Sequence, residues 1–133
     1  MNYVIVDTDV VSYLFKRDSR AERYRRYLEG KTIALSFMTV GELFFWAYSK
    51  NWGQRSITRL EEHLRNFVVL PFDYEVCRLW ARVQAERSAR GRPMATADAW
   101  VAACALRHGC PLITNNCADF QEIAGRRVIS EAV

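Results

Sequence analysis

Hydrophobic residues along the chain form short continuous runs that alternate with longer stretches of helical spacing. The short runs are rich in β-branched residues, which is typical of strands buried on both faces of a parallel sheet. They predict strands at 2–6, 32–36, 67–71, 111–114 and 127–129. The longer stretches predict helices at 9–15, 20–28, 39–50, 53–66, 74–90, 96–108 and 118–123.

This alternation predicts an α/β fold with three layers, α/β/α, around a central and mainly parallel sheet of four to five strands. Breaks in the pattern agree with it, because Gly30 and Gly109 follow predicted helices and Pro71 ends a predicted strand. The 133 residues suit one domain, so we expect residues 1–133 to share a single core.

The composition narrows the class of protein. Half of the residues are hydrophobic and 26% are charged, which is the balance of a globular protein. No apolar run approaches the roughly 20 residues that span a bilayer, so we expect a cytoplasmic protein without membrane contact. The cysteines have no Cys-x-x-Cys pair and no histidine at zinc spacing, so we expect neither a zinc site nor a disulfide.

Arginine dominates the positive charge, and the chain has a net charge of +4. The planar guanidinium suits phosphate because it donates two parallel hydrogen bonds. Basic residues cluster within 16–26 and again at Arg87, Arg90 and Arg92. Either cluster is compatible with a solvated helix face or with nucleic-acid contact. The second one lies in the polar loop just before Asp98, so we expect it to contact substrate.

Three acidic residues occupy positions where a parallel sheet would gather them. Asp7 closes the first predicted strand, while Glu42 and Asp98 lie in the first turns of predicted helices. Ligands of open α/β sheets bind at the carboxyl ends of the strands. Converging carboxylates are costly unless a cation uses them, and Mg²⁺ prefers such oxygens. Taken singly, Asp7 could instead cap a helix, and Glu42 could favour the helix dipole.

In this order, the acidic positions and their neighbours resemble the PIN-domain family, and within it the VapC-type toxins of toxin–antitoxin operons. The matching segments cover nearly the whole chain and are Val4–Asp9, Ser36–Leu43, Asp98–Ala103, Leu112–Asn116 and Asp119–Phe120. The resemblance implies a ribonuclease dependent on Mg²⁺ or Mn²⁺ that cleaves structured RNA, such as tRNA or ribosomal RNA. It also implies a VapB-type antitoxin as partner. By the same resemblance Asp7, Glu42 and Asp98 are the catalytic acids that hold the metal.

One position departs from the family pattern. Members often have a fourth acid directly after the last core strand, and this chain has Asn116 there. Asp119 is the nearest acidic substitute, and we include Asn116 and Asp119 among the catalytic candidates. Thr8 and Thr114 flank the expected site. We predict that their hydroxyls bind either the carboxylates or the scissile phosphate, although both could simply cap their own turns.

Two other functions fit parts of the sequence. Residues 7–11 resemble the opening motif of haloacid-dehalogenase phosphatases, but that chemistry needs a later lysine and none follows Lys50. The second alternative is a PIN-like module that binds RNA or protein without efficient cleavage, which Asn116 motivates.

The predicted helix 39–50 is apolar on nearly every side. A helix of this kind must be covered all round. It is either a central core helix or a surface that also receives a partner. The family resemblance favours the second reading, so we expect a homodimer and an antitoxin complex.

Overall fold

Five parallel strands form one sheet in a computed structural model that describes residues 3–120 and 128–131. The strands are β1 (Tyr3–Val6), β2 (Thr32–Ser36), β3 (Val68–Leu70), β4 (Leu112–Ile113) and β5 (Val128–Ile129). Their order across the sheet is β3-β2-β1-β4-β5, and every neighbouring pair is parallel. The prediction of a parallel α/β sheet of four to five strands is therefore confirmed.

Six α-helices connect the strands within the described residues. They are α1 (Thr8–Lys16), α2 (Arg25–Leu28), α3 (Phe37–Ser49), α4 (Gln54–Leu64), α5 (Tyr74–Ala89) and α6 (Thr96–His108). Short 3₁₀ helices occupy Ser19–Arg23 and Cys117–Phe120. Within the described part of the chain, no helix has both the length and the apolar character needed to cross a membrane.

The prediction of one continuous helix at 20–28 is wrong. The structure has a 3₁₀ helix and then the single turn of α2, joined at Tyr24. Ala21 and Tyr24 are both buried, and a spacing of three residues aligns with the 3₁₀ period of three per turn. For the predicted helix 118–123, the structure has 3₁₀ geometry up to Phe120, and residues 121–123 lie outside the described residues.

Apolar side chains cover the sheet on both faces. Successive residues of a strand point to opposite faces, so Ile5 packs in one cluster while Val4 and Val6 pack in the other. The first cluster lies under α5 and α6, and the second lies under α1, α3 and α4. The helices therefore form the two outer layers that the sequence predicted.

Strand β1 lies at the centre and brings its carboxyl end beside those of its neighbours. Ile5 is in register with Ala34 of β2 and with Leu112 of β4. Directly after β1, the Asp7 backbone N–H donates a 2.8 Å hydrogen bond to the carbonyl of Ile113. Residues that follow β1, β2 and β4 are therefore held together at one edge of the sheet.

Candidate active site

An acidic cleft of about 540 Å³ opens at this edge of the sheet. Four carboxylates line it, namely Asp7, Asp9, Glu42 and Asp98. The remaining lining residues are Thr8, Ser12, Lys16, Leu43, Trp46, Lys50 and Asn116. The three acids proposed from the sequence therefore meet in one cleft, although 91 positions separate the first from the last in the chain.

Asp7 is held on both of its carboxylate oxygens. Oδ1 accepts a 2.8 Å hydrogen bond from the Thr8 backbone N–H, which makes Asp7 the N-cap of α1. Oδ2 accepts a 2.7 Å hydrogen bond from the hydroxyl of Thr114. Burial raises the pKa of Asp7 to about 7, the charges of Asp9 and Asp98 add to the rise, and the two hydrogen bonds oppose it.

Glu42 reaches the cleft from α3. Ser36, the last residue of β2, caps this helix by accepting a hydrogen bond from the Met38 backbone N–H. Oε1 of Glu42 lies 2.7 Å from the Thr8 hydroxyl, which lies 3.0 Å from the hydroxyl of Thr39. These contacts tie the start of α1 to the first turns of α3 and fix the direction of the Glu42 side chain.

Asp98 lies in the first turn of α6, where a negative charge also interacts favourably with the helix dipole. Its side chain is half-buried. Burial raises the pKa of Asp98 to about 6, and the charges of Asp119, Glu42 and Asp9 contribute to the rise. The site is therefore a set of mutually repelling acids whose negative charge is only partly satisfied by protein groups.

Asp9 is a cleft acid that the sequence analysis did not include among the candidate site residues. Its Oδ1 accepts from the Val10 backbone N–H at 2.6 Å, and its Oδ2 accepts from the Asn115 backbone N–H at 3.1 Å. Burial raises the pKa of Asp9 despite these bonds. The sequence contained a signal for this position. Asp7 and Asp9 are two acids spaced by one residue at the point where a strand ends and the next helix begins.

Asn116 and Asp119 occupy different positions relative to the cleft. Asn116 lines it, and its backbone N–H donates to the Thr114 hydroxyl at 3.0 Å. Its side-chain amide donates to the carboxylate of Asp119. Asp119 is exposed and does not line the cleft, yet its charge raises the pKa of Asp98. Asn116 therefore connects the cleft lining to this fifth acid by a hydrogen bond.

The two threonines differ in access to solvent. Thr8 lines the cleft, whereas Thr114 is fully buried. Of the two roles expected for Thr114, binding a carboxylate matches its position. Contact with a scissile phosphate does not, because its hydroxyl is enclosed between Asp7 and the Asn116 backbone.

The three arginines of the predicted substrate loop lie outside the cleft lining. Nη1 of Arg87 donates to the Asp119 carbonyl at 3.3 Å, and its Nε donates to the Arg92 carbonyl at 3.1 Å. Arg90 and Arg92 are exposed. The cations that do line the cleft are Lys16 and Lys50, which sequence reasoning had not assigned to the site.

The donor set fits a hard divalent cation. Among the described residues, no three acidic, His or Cys side chains are grouped so that they could hold a metal ion by themselves. Mg²⁺ usually takes only one or two carboxylates and fills its other positions with water and substrate phosphate. None of the four cleft acids forms an ion pair with a described lysine or arginine. The cleft therefore has the oxygen ligands that such an ion requires, on acids that have no ion-pair partner among the described residues.

Sequence comparison gives a consistent assignment. Residues 4–126 match the family model of the PIN domain. The ribonuclease VapC1 of Haemophilus influenzae is 30% identical over 121 residues, which cover 90% of each chain. The tRNA(fMet)-specific endonuclease VapC of Shigella flexneri is 25% identical over 123 residues, covering 92% of this chain and 93% of that one.

Solved structures share the same fold. A chain of the DNA-bound VapBC complex of Salmonella typhimurium superposes with a TM-score of 0.86 at 25% identity, covering 98% of both chains. A chain of VapBC-1 from nontypeable Haemophilus influenzae superposes with a TM-score of 0.80 at 29% identity, again over 98% of both.

Proposed function

The chain belongs to the PIN-domain family, and from that premise we propose that it is the toxin ribonuclease of a toxin–antitoxin pair. It would hydrolyse phosphodiester bonds in structured RNA such as tRNA or ribosomal RNA. The observation that carries this proposal is the cleft at the end of β1, where Asp7, Glu42 and Asp98 converge and, among the described residues, none of them forms an ion pair. The names of its relatives support RNA as the substrate class.

Asp7, Asp98 and Glu42 are the acids that would hold Mg²⁺ or Mn²⁺, one or two of them by direct contact and the rest through metal-bound water. A bound ion of this kind lowers the pKa of a water ligand and neutralises charge on the phosphate. The protein's own contribution is to fix the ligands. Thr114 and the start of α1 clamp Asp7, while Thr8 orients Glu42. Side chains that are fixed in this way need little reorganisation during the reaction.

Charge at the rim guides the substrate in this proposal. Lys16 and Lys50 line the cleft together with the acids, so they would attract the RNA backbone toward a site that would otherwise repel it. Thr8, which lines the cleft, would contact the phosphate that is cut. The RNA would also contact Arg87, Arg90 and Arg92. These arginines lie outside the cleft lining, where Arg87 donates to the carbonyl of Asp119.

Two exposed apolar areas are candidates for the two protein interfaces that we propose, one with an antitoxin and one with a second copy of the chain. Phe45 and Tyr48 of α3 are 73% and 65% exposed, so α3 is only partly a core helix. A shallow apolar groove lies beside α3, lined mainly by Val40, Phe44, Leu64, Phe67 and Val69. Phe44 of this lining stacks on Tyr48, so we assign the groove together with the exposed Phe45 and Tyr48 to an amphipathic helix of a VapB-type antitoxin. Phe72 and Tyr74, exposed at the start of α5, form the area that we assign to a homodimer.

The decisive experiment is cleavage of total cellular RNA by the purified, antitoxin-free protein with Mg²⁺, Mn²⁺ or chelator. We expect discrete products that require the metal and that fall at least about 100-fold in Asp98→Asn. Glu62→Gln, a change at an exposed acid of α4, is the matched control and should cleave normally. Cleavage that persists in Asp98→Asn would contradict the proposed site.

A binding module with little cleavage is the second candidate, and Asn116 is the observation that favours it. Asn116 takes the place of an acid in the cleft, and its side-chain amide donates to the carboxylate of Asp119, which does not line the cleft. RNA bound without cleavage in either metal would support this candidate. The phosphatase alternative is set aside, because the chain belongs to the PIN-domain family.

A further inference from the structure

A second cavity lies beside the acidic cleft and has the opposite charge. It has a volume of about 380 Å³, within the range of small-ligand sites. Its lining consists of three cations, two aromatic rings and a hydroxyl, namely Lys16, Arg17, Arg59, Phe15, Trp52 and Ser56. Among the described residues no acid lines it, and Lys16 lines both cavities. We refer to these six residues as the basic aromatic pocket.

A row of aromatic rings connects the pocket to the cleft. The rings of Phe15 and Trp52 stack at 5.8 Å between centroids with an interplanar angle of 24°. Trp52 contacts Trp46 edge to face at 5.0 Å, and Trp46 lines the acidic cleft. The side chain of Lys16 lies over this row, with Nζ 4.1 Å from the Trp46 centroid. The rings therefore form a continuous row from the lining of the cleft to the lining of the pocket.

The cations of the pocket are available to a ligand. Arg17 ends α1 in a left-handed conformation with φ of 56°, and its side chain is exposed. The guanidinium of Arg59 lies 5.5 Å from the Phe15 ring. Within residues 3–120 and 128–131, neither Arg17 nor Arg59 forms an ion pair. Unpaired guanidinium groups beside aromatic rings suit a nucleotide, which has a phosphate and a flat base.

We propose that the basic aromatic pocket binds a single-stranded nucleotide of the RNA substrate near the one whose phosphate enters the acidic cleft. The base packs against the Phe15–Trp52 pair, and Lys16, Arg17 and Arg59 hold the backbone phosphate. A base can reach these rings only when it is unpaired, so the pocket selects a loop or an end of a structured RNA. This inference rests on the proposed ribonuclease function, because it assumes that the RNA strand continues from the cleft into the pocket.

The first test measures binding of fluorescein-labelled hexaadenylate RNA by anisotropy in an Asp98→Asn background, over a range of salt concentrations. Arg17→Asn keeps a residue type that tolerates the left-handed backbone, and Arg59→Gln keeps a side chain of similar length. With both changes, we expect at least roughly tenfold weaker binding and a salt slope smaller by about 1.4, since each phosphate that a cation neutralises on a single strand contributes about 0.7.

Arg55→Gln is the matched control, because Arg55 is exposed on the same helix as Arg59 but does not line the pocket. It should change the affinity by less than about twofold. Equal slopes in the double variant and in this control would overturn the inference.

The second test addresses stacking from the ligand side, so it does not depend on a variant that might misfold. Hexamers that each lack one base but keep the backbone are compared with the intact hexamer. At one position, loss of the base should weaken binding about fivefold or more, because stacking on an aromatic side chain contributes on this scale. No effect at any position would overturn base binding by the pocket.

The outcomes separate the pocket from the proposed function. If the double variant binds hexaadenylate and cleaves RNA like the unmodified protein, the pocket assignment fails and the ribonuclease stands. If the unmodified protein cleaves no RNA but binding still depends on Arg17 and Arg59, the ribonuclease fails and the nucleotide site stands. If the double variant keeps RNA binding but no longer copurifies with its co-expressed antitoxin, the pocket belongs to a protein partner, and the inference is overturned.

Discussion

The hydroxyl of Thr114 donates a 2.7 Å hydrogen bond to Oδ2 of Asp7, so two neighbouring parallel strands hold one buried carboxylate between them. The other oxygen of Asp7 caps α1. The acid is thus fixed by β4 on one side and by its own helix on the other. Its direction into the cleft depends on this double attachment, which makes Thr114 a positioning residue.

Replacing Thr114 by valine should raise the pKa of Asp7 further, because the hydrogen bond that it removes favours the ionised carboxylate. The acidic limb of the pH profile for RNA cleavage should therefore move to higher pH. The Asn116 backbone N–H also loses its acceptor, so we expect a stability loss of about 1–3 kcal/mol. Thr114→Ser, which keeps the hydroxyl, should retain the original pH profile. An unchanged profile in Thr114→Val would contradict the positioning role.

The stability of the metal-free protein should fall as pH rises through the titration of Asp7. Burial raises the pKa of this group from its ordinary value of 3.8 to about 7 in the folded state. The folded protein therefore binds the proton more tightly, and this stabilisation is complete below about pH 4 and lost by about pH 7. Between pH 4 and 8, the unfolding free energy should drop relative to Asp7→Asn by an amount on the order of 2–4 kcal/mol.

Denaturant unfolding in chelator, at several pH values, measures this difference. Asp73→Asn provides a control of opposite sign, because its interactions with the Val76 backbone N–H and Arg107 lower the pKa of Asp73. That variant should lose stability relative to the unmodified protein at neutral pH and approach it as the solution becomes acidic. Parallel pH curves for Asp7→Asn and the unmodified protein would show that Asp7 does not titrate in this range.

A divalent cation should stabilise the folded protein at pH 8, which lies above the pKa of about 7 for Asp7 and of about 6 for Asp98. An ion at ten times its dissociation constant adds about 1.4 kcal/mol when it binds only the folded state. We expect Mg²⁺ or Mn²⁺ to raise the melting temperature of the unmodified protein, but not that of Asp7→Asn. Glu62→Gln should behave like the unmodified protein. An equal rise in Asp7→Asn would place the ion elsewhere.

Arg90 and Arg92 should contribute to RNA affinity by neutralising phosphates. Changing both to glutamine should weaken RNA binding and lower its salt slope, by roughly 0.7 to 0.9 for each arginine that binds a phosphate. Arg78→Gln is the control, since Arg78 is exposed on α5 and paired with Glu75. We leave Arg87 unchanged because its side chain also binds the carbonyls of Arg92 and Asp119. Equal salt slopes in the double variant and the control would contradict the assignment.

The α3 groove and the Phe72–Tyr74 area should respond differently to substitution. Phe45→Glu with Tyr48→Glu should abolish copurification with the antitoxin, because charge is introduced into an apolar interface. Tyr74→Glu should instead lower the molar mass seen by light scattering toward that of one chain. Loss of dimer in the α3 variant, with the antitoxin still bound, would reverse the two assignments.

The topology of the sheet explains why the convergence of the main acids could be predicted from the sequence. Asp7 ends a buried strand, and Glu42 and Asp98 follow predicted strands or loops by one helical turn. Parallel strands joined by helices place such positions at the same edge of the sheet. Element order and the converging acids could therefore be predicted without knowledge of side-chain contacts.

Other features depend on packing that a linear pattern does not encode. Lys16 and Lys50 reach the cleft from the ends of α1 and α3, and their direction is set by how these helices cross. The predicted helix at 20–28 divides because Tyr24 is drawn into the core and its hydroxyl bonds to Asn115, 91 residues later. Exposure of Phe45 and Tyr48 likewise follows from which side of α3 faces the sheet.

The sheet order has a consequence for synthesis on the ribosome. Central strand β1 emerges first, yet its partner β4 and the clamp residue Thr114 come more than 100 residues later. A nascent chain that still lacks α6 and β4 has neither Asp98 nor the second support of Asp7. Because domains fold as units and distant contacts form late, the cleft can be completed only after α6 and β4 have left the ribosome. Until then, a ribosome-bound chain lacks the complete set of cleft acids while it is close to the RNA-rich machine that makes it.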